Sequence, residues 1–491
     1  MRLKNPSIIC AKYDMKTILC LITLTISLSA NAITPITNKK LGISQLFSDH
    51  MVLQQKTKVN IWGWSPAGQT VIVVASWGKK ATSVANADGK WKVKLITPAA
   101  GGPYAIVIKT KVSEINIKDV LIGEVWLASG QSNMDIPLKG WPPGDTIFNS
   151  AHEISIANYP VIRFMKVPFG ISTTPQDSTG GKWETTTPET AGNFSATAYF
   201  YARALYQKLK VPIGIIQSSI GGTPAEAWTS KGYLKKIGDF NETMKEQDTA
   251  RQHSSKLNSN SPTVLFNAMI NPLIPYTIKG VIWYQGESNV GRAEQYKKLF
   301  PIMIADWRSQ WGYELPFYYV QLAPFLYSAP DQREQSQKLR DAQRYALKLP
   351  KTGMVTTLDI GYLKTAHPPY KQEVGNRLAR FALKNEYGMN QVASGPLYKK
   401  TRVSGNKLIV EFESVGSGLK ASPKGLDNFE IAGADKIYVK AKAEIVGDKL
   451  VVTSPQIANP VYVRYAWSDG SNASLFNEEG LPAATFTSEE D

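Results

Sequence analysis

The chain has 491 residues, 43% of them apolar and 20% charged. That composition can bury one large core with one or two smaller ones, and it excludes disordered, collagen-like and coiled-coil classes. The formal charge of +16 is spread along the chain without a run of five basic residues, so it reads as a basic surface and not as a nucleic-acid site.

Residues 1–32 read as a secretory signal. Lys16 is followed by an apolar stretch from Thr17 to Leu28 and by an A-x-A pattern at Ala30-Asn31-Ala32. Translation from Met15 fits this signal better than translation from Met1. Both cysteines, Cys10 and Cys20, lie inside it, so a processed chain would hold no disulfide and no thiolate. Secreted or periplasmic localisation follows as the expectation, with no membrane attachment after cleavage.

Residues 33–118 read as an N-terminal β domain. Short β-branched and aromatic runs, such as Val59 to Trp64 and Thr70 to Trp77, are separated by turns at Pro66-Ala67-Gly68 and Ala87-Asp88-Gly89. From Asp119 the pattern changes. Val120 to Ala128 is an unbroken apolar run, suited to a strand buried on both faces. Predicted helices at 195–210, 293–311 and 332–349, and one opening at His367, alternate with predicted strands at 211–217, 280–284, 316–322 and 353–360. Such alternation predicts a parallel α/β sheet over residues 119–394, with ligands at the carboxyl ends of its strands. Residues 395–491 return to strands, for example Lys407 to Glu413 and Lys449 to Thr453. The expected fold is thus an α/β domain flanked by two β-sandwich-like segments.

Histidine is scarce: His50, His152, His253 and His367 are the only four. A Ser nucleophile needs a base, and only His367 follows a strand of the α/β domain. No His pair has metal-ligand spacing, so no metal and no cofactor is expected. Three strand ends carry polar loops. The first is Ser129-Gly130-Gln131-Ser132-Asn133-Met134, which is not the G-x-S-x-G elbow because Met134 stands at the second Gly position. The second is Gly221-Gly222-Thr223-Pro224, where paired glycines allow backbone N–H groups close to a ligand. The third is Trp283-Tyr284-Gln285-Gly286-Glu287-Ser288-Asn289, where a side-chain amide could serve an oxyanion. Each alone is an ordinary turn or cap. Their order along the chain, ending at His367-Pro368, carries the signal.

That ordered set resembles the SGNH (GDSL-type) hydrolases and, more narrowly, the sialate O-acetylesterase family of carbohydrate esterases. The likeness extends to Gly123-Glu124-Val125-Trp126, to Ala225-Glu226-Ala227-Trp228, to Lys371-Gln372 and Gly375, and to Glu479-Gly480-Leu481-Pro482-Ala483. It implies a three-layer α/β/α domain in which Ser132 is the nucleophile and His367 its base. The N–H of Ser132, the N–H of Gly222 (or Gly221) and the Gln285 amide would form the oxyanion hole. Gln131, Asn133, Glu287 and Trp228 would lie against substrate, and Trp141, Trp228 and Tyr284 are sugar platforms if they are not core. The implied substrate is an O-acetylated glycan, first of all O-acetylated sialic acid, with xylan or pectin as the alternative. The family places an Asp two or three residues before the His, whereas this chain has Lys364 and Thr365 there. Three readings stay open: a main-chain carbonyl orients His367, Asp359 or Glu287 reaches in, or the chain is a glycan binder with a weakened site. The oligomeric state is not legible.

Overall fold

A computed structural model describes residues 40–249 and 257–489, with the side chains of 247–249 left undescribed. The expected signal segment lies outside these residues. Asn38–Asp491 forms one compact unit.

The central strand β1, Glu114–Gly130, is the axis of the molecule. Its first residues alternate exposed and buried, and from Val120 onward every residue is buried. The change of pattern at residue 119 therefore marks a change in cover, not a break in the chain. The first half of β1 pairs antiparallel with Gly101–Lys109 in the N-terminal β region. The second half is flanked by β4 (Ile213–Ser219) and β5 (Gly280–Tyr284), both parallel to it. β2 (Tyr159–Lys166) lies parallel to β4 on its far side, and β3 (Trp183–Thr186) closes that edge antiparallel to β2. On the other side β6 (Phe317–Val320) and β7 (Thr352–Val355) continue in parallel. The spatial order is β3-β2-β4-β1-β5-β6-β7. The direction of winding reverses around β1, and the carboxyl ends of β1, β4 and β5 open there. In such sheets that crevice is the ligand site. β2 and β3 lie in a stretch to which the sequence pattern assigns no element.

Alternation along the strands sorts side chains to two cores. Val125, Leu127, Val281, Trp283, Phe317 and Tyr319 face one. Trp126, Ala128, Ile282, Tyr284, Tyr318 and Val320 face the other. Helices α2 (Ala293–Trp311) and α3 (Ser336–Tyr345) cover the first through Phe300, Met303, Trp307 and Leu339. Helices α1 (Ala196–Leu209) and α4 (Lys371–Asn385) cover the second through Phe200, Leu205, Val374 and Leu378. Full burial of each such side chain contributes ~1.5–3 kcal/mol, so both faces are strongly held. Gly375 is required where α4 meets α1: a Cβ there would lie 2.6 Å from Cβ of Phe200 and 2.8 Å from the Thr197 carbonyl. α4 starts at Lys371, not at His367. Pro368 and Pro369 restrict the residues before them to extended backbone, so the helix begins only after them.

The C-terminal region holds two four-stranded sheets, one containing Lys407–Glu413 and Lys449–Thr453 and one containing Phe429–Ala432 and Tyr462–Tyr465. Leu408, Val410, Val452, Phe429, Val463 and Phe486 close a common core between them. Among the described residues no helix is long and apolar enough to cross a membrane.

Candidate active site

Ser132 sits where β1 turns into a four-residue helix, Ser132–Asp135. Gly130 makes the turn possible. Its φ is +138°, and a Cβ there would come within 2.2 Å of the Tyr284 carbonyl on β5. The next N–H, of Gln131, donates to that same carbonyl at 3.0 Å. Ser132 is thus the first helical residue, and its N–H has no acceptor within the helix.

The Gly221-Gly222 turn that follows β4 lies against Ser132. A Cβ on Gly221 would stand 3.5 Å from the Ser132 Cβ. Gly222 has φ +71° and open space where a Cβ would point. The loop after β5 is tied to both neighbours. Gln131 Oε1 accepts from the N–H groups of Gly286 and Ser288. Asn289 accepts from Ala225 N–H at 3.0 Å and donates to Glu226.

His367 lies on the loop between β7 and α4. Its Nδ1 is 2.6 Å from Asp145 Oδ2. The other oxygen of Asp145 accepts from Thr365 Oγ1 at 2.7 Å, and Thr365 Oγ1 in turn accepts from the His367 backbone N–H at 3.0 Å. Asp145 belongs to the loop after the Ser132 helix. That loop closes on itself through Trp141 N–H to the Asp145 carbonyl at 2.8 Å. The Trp141 ring meets the His367 ring edge-on, with centroids 5.5 Å apart. The side chains of His367 and Asp145 keep 22% and 24% of their surface exposed, so the pair is reachable from solvent.

Asn133 joins the two arms. Its Nδ2 donates to the Ala366 carbonyl at 2.8 Å and to Glu287 Oε1 at 2.5 Å. Its Oδ1 accepts from Lys371 Nζ. The residue after Ser132 is therefore bonded to the residue before His367.

Several expectations are corrected here. Asp359 does not reach His367: its two oxygens accept from Nη1 (2.7 Å) and Nη2 of Arg377. No main-chain carbonyl takes Nδ1, and Glu287 bonds to Asn133 instead. Asp145 occupies the place left open by Lys364 and Thr365. Gln285 is fully buried, and its Nε2 is donated to Asn289 Oδ1 at 2.7 Å and to the Thr223 carbonyl at 3.3 Å. Its amide braces the two loops and is not turned toward Ser132 as a free donor. Trp228 is fully buried, crossing Trp283 at 84°, and is core. Tyr284 is equally buried. Of the three aromatic candidates only Trp141 borders the His367 arm. Asp145 and Lys371 are the residues that sequence reading left without a role.

Burial holds the Glu287 carboxyl above its usual range, against the opposing pull of its own backbone N–H, Asn133, His367 and Lys371. The residue is half-buried, but Oε2 is closed off from solvent without a partner. Burial also lowers Lys371 to about 7, partly offset by the charges of Glu287 and Asp145. Among the described residues no group of three His, Cys, Asp or Glu could hold a metal ion.

A family profile described as carbohydrate esterase, sialic acid-specific acetylesterase, matches residues 122–384, more than half of the chain. The chain belongs to that family and is a carboxylic ester hydrolase. It is 34% identical to the human sialate O-acetylesterase over 413 residues, covering 75% of this chain and 76% of the human protein. The rat sialate O-acetylesterase is 30% identical, covering 89% and 92%. The crystal structure of a carbohydrate acetylesterase from Xanthomonas citri superposes with a TM-score of 0.83 at 38% identity, covering 91% of this chain and 99% of that one.

Proposed function

We propose that this protein is an SGNH-type serine esterase that removes O-acetyl groups from carbohydrates, with Ser132, His367 and Asp145 as its catalytic residues. The observation that carries this reading is the 2.6 Å contact between Asp145 and Nδ1 of His367 beside the Ser132 loop. A carboxylate on Nδ1 fixes the tautomer that leaves Nε2 free to take a proton, and it stabilises the imidazolium that results. Ser132 Oγ attacks the ester carbonyl as His367 takes its proton. The sugar oxygen leaves with that proton. Water, deprotonated by His367, then releases acetate from acetyl-Ser132. The oxyanion would be met by the N–H of Ser132 and that of Gly222, whose open side fits a close-approaching ligand. Gln285 holds the Gly222 loop by donating to the Thr223 carbonyl, and its amide is spent there and on Asn289 and not on the oxyanion.

O-acetylated sialic acid is the substrate best supported, by the family matched and by the two mammalian relatives. Xylan and pectin acetyl esters are the alternative. The glycan-binder reading loses its only support, because an acid does stand behind His367. Export rests on the sequence of residues 1–32.

Acetate release from O-acetylated sialic acid, set beside acetylated xylan, tests the reading. Turnover should be found in the wild type and lost in Ser132→Ala by about 10⁶-fold, as for other serine nucleophiles. Wild-type-like turnover in Ser132→Ala would overturn it, and a preference for xylan would replace the substrate.

A further inference from the structure

The cluster beneath Ser132 contains more than a Ser–His–Asp mechanism uses. Lys371 is completely buried, a rare position for a lysine. It stands at the start of α4, which Gly375 presses against α1. Its Nζ lies 5.3 Å from the centre of the Tyr284 ring and donates to Asn133 Oδ1. Asn133 is also completely buried, and its main-chain carbonyl accepts from Thr197 on α1 at 3.1 Å. With one oxygen and one NH₂ group, the Asn133 side chain has one orientation that serves all its neighbours. Oδ1 faces the ammonium, and the two Nδ2 hydrogens go to Glu287 and to the Ala366 carbonyl. Reversing the amide would set Oδ1 against two acceptors and Nδ2 against a donor. Lys371 and Glu287 thus fix Asn133, and Asn133 fixes the carbonyl that precedes His367.

We propose that Lys371 and Glu287 are positioning residues for ester hydrolysis: acting through Asn133, they hold the His367 loop in register with Ser132. This rests on the catalytic reading above. Neither residue touches the reacting atoms. Ser132 and His367 come from loops more than 200 residues apart. The loop that carries Trp141, Asp145 and Phe148 also touches the His367 loop, through Thr365, the His367 ring and the Pro369 carbonyl; Asn133 adds a link at the residue next to Ser132 itself. A displacement of about 1 Å in such a pair can cost ~10²-fold in rate.

The test uses the full chain and p-nitrophenyl acetate, a small ester with no sugar contacts. Lys371→Met and Lys371→Gln are compared with wild type and Ser132→Ala. Lys371→Met should lower kcat by ~10²-fold with KM changed by less than about threefold, because alignment and not ground-state binding is lost. Lys371→Gln, which keeps a donor for Asn133, should recover part of that loss, and it serves as the test if the Met variant does not fold. Asn133→Asp should lose a similar factor, since two donors vanish and a second carboxylate faces Glu287. Adding Glu287→Gln to Asn133→Asp should raise kcat by about tenfold, because the new amide supplies the missing donor. A merely structural cluster would not give a kcat-only loss with pairwise rescue. A kcat in Lys371→Met within about twofold of wild type, or a double variant no better than Asn133→Asp, overturns the proposal. If Ser132→Ala keeps its activity, the catalytic reading fails first.

Discussion

Two buried polar clusters of this molecule solve the same problem differently. One surrounds Arg340 on α3, where the α/β domain meets the C-terminal strands. Its Nε donates to Thr485 Oγ1 at 3.0 Å, Nη1 to Ser336 Oγ at 3.3 Å, and Nη2 to the carbonyls of Ala466 and Ser468. Nearby Asp469 accepts from the N–H groups of Ser336 and Glu334 and from the Ser336 hydroxyl. Neither Arg340 nor Asp469 is left with an unpartnered polar atom. The other cluster is Lys371–Asn133–Glu287. There one carboxylate oxygen stays closed off from solvent without a partner, and Lys371 is lowered to about 7. A guanidinium is held charged even when buried: Arg340 falls only to about 10. A buried lysine shifts readily and is held by fewer bonds. The Arg340 cluster stitches two regions together. The Lys371 cluster ties the Ser132 helix to the His367 loop.

The comparison breaks most visibly at Arg340. Arg340→Leu leaves the Thr485 hydroxyl oxygen and the Ala466 carbonyl without their donor and the Ser468 carbonyl with only the Ser471 N–H, and it should cost roughly 3–5 kcal/mol of stability. Urea unfolding should show that loss, while kcat of the folded fraction stays within about twofold of wild type. A large kcat loss at unchanged stability would reverse the assignment of the two clusters.

A subtler difference appears with pH. Lys371 is lowered to about 7 in the folded chain, against ~10.4 for a free lysine. Between those values the unfolded chain binds a proton that the folded chain does not, so stability should rise with pH across that window. Below pH 7 both states hold the proton, and this dependence disappears. The unfolding free energy of wild type minus that of Lys371→Met should increase from pH 7 to pH 9.5. A flat difference would mean that Lys371 is not buried as described. The corresponding contrast for Arg340→Leu should be smaller, since Arg340 stays charged over most of that range.

The smallest effect is expected at Asp359. Its pair with Arg377 is partly buried and apart from His367, so Asp359→Asn should change kcat by less than about threefold. A collapse in kcat would return Asp359 to the site.

How much of this was legible in the sequence follows from how local each feature is. Ser132 could be read because its Gly-Gln-Ser step ends an apolar strand and opens an ordered set of strand-end loops, although the close pass of Gly130 over Tyr284 that shapes its turn lies far off in the chain. His367 could be read because histidine is scarce. Asp145 could not. It reaches His367 across 222 positions, from a Trp-Pro-Pro-Gly loop with no periodicity, and its signal was only negative: a Thr where the family has an Asp. Thr365 turns out to bracket that remote acid. Gln285 was placed in the right loop but given the wrong neighbour, since strand ends locate a side chain without saying which way its amide points. The break expected at Asp119 has a similar origin. Periodicity reports burial, and β1 passes from a half-covered sheet into a doubly covered one without interruption.

In the proposed triad, Asp145 supplies the acid behind His367. The direct measurement is kcat of Asp145→Asn on p-nitrophenyl acetate, with Tm recorded on the same sample. A loss of ~10⁴-fold is expected, the effect of giving the imidazole the wrong tautomer in a Ser–His–Asp site, with Tm close to wild type because the pair is partly exposed. A variant that folds and retains more than about a tenth of wild-type kcat would contradict it.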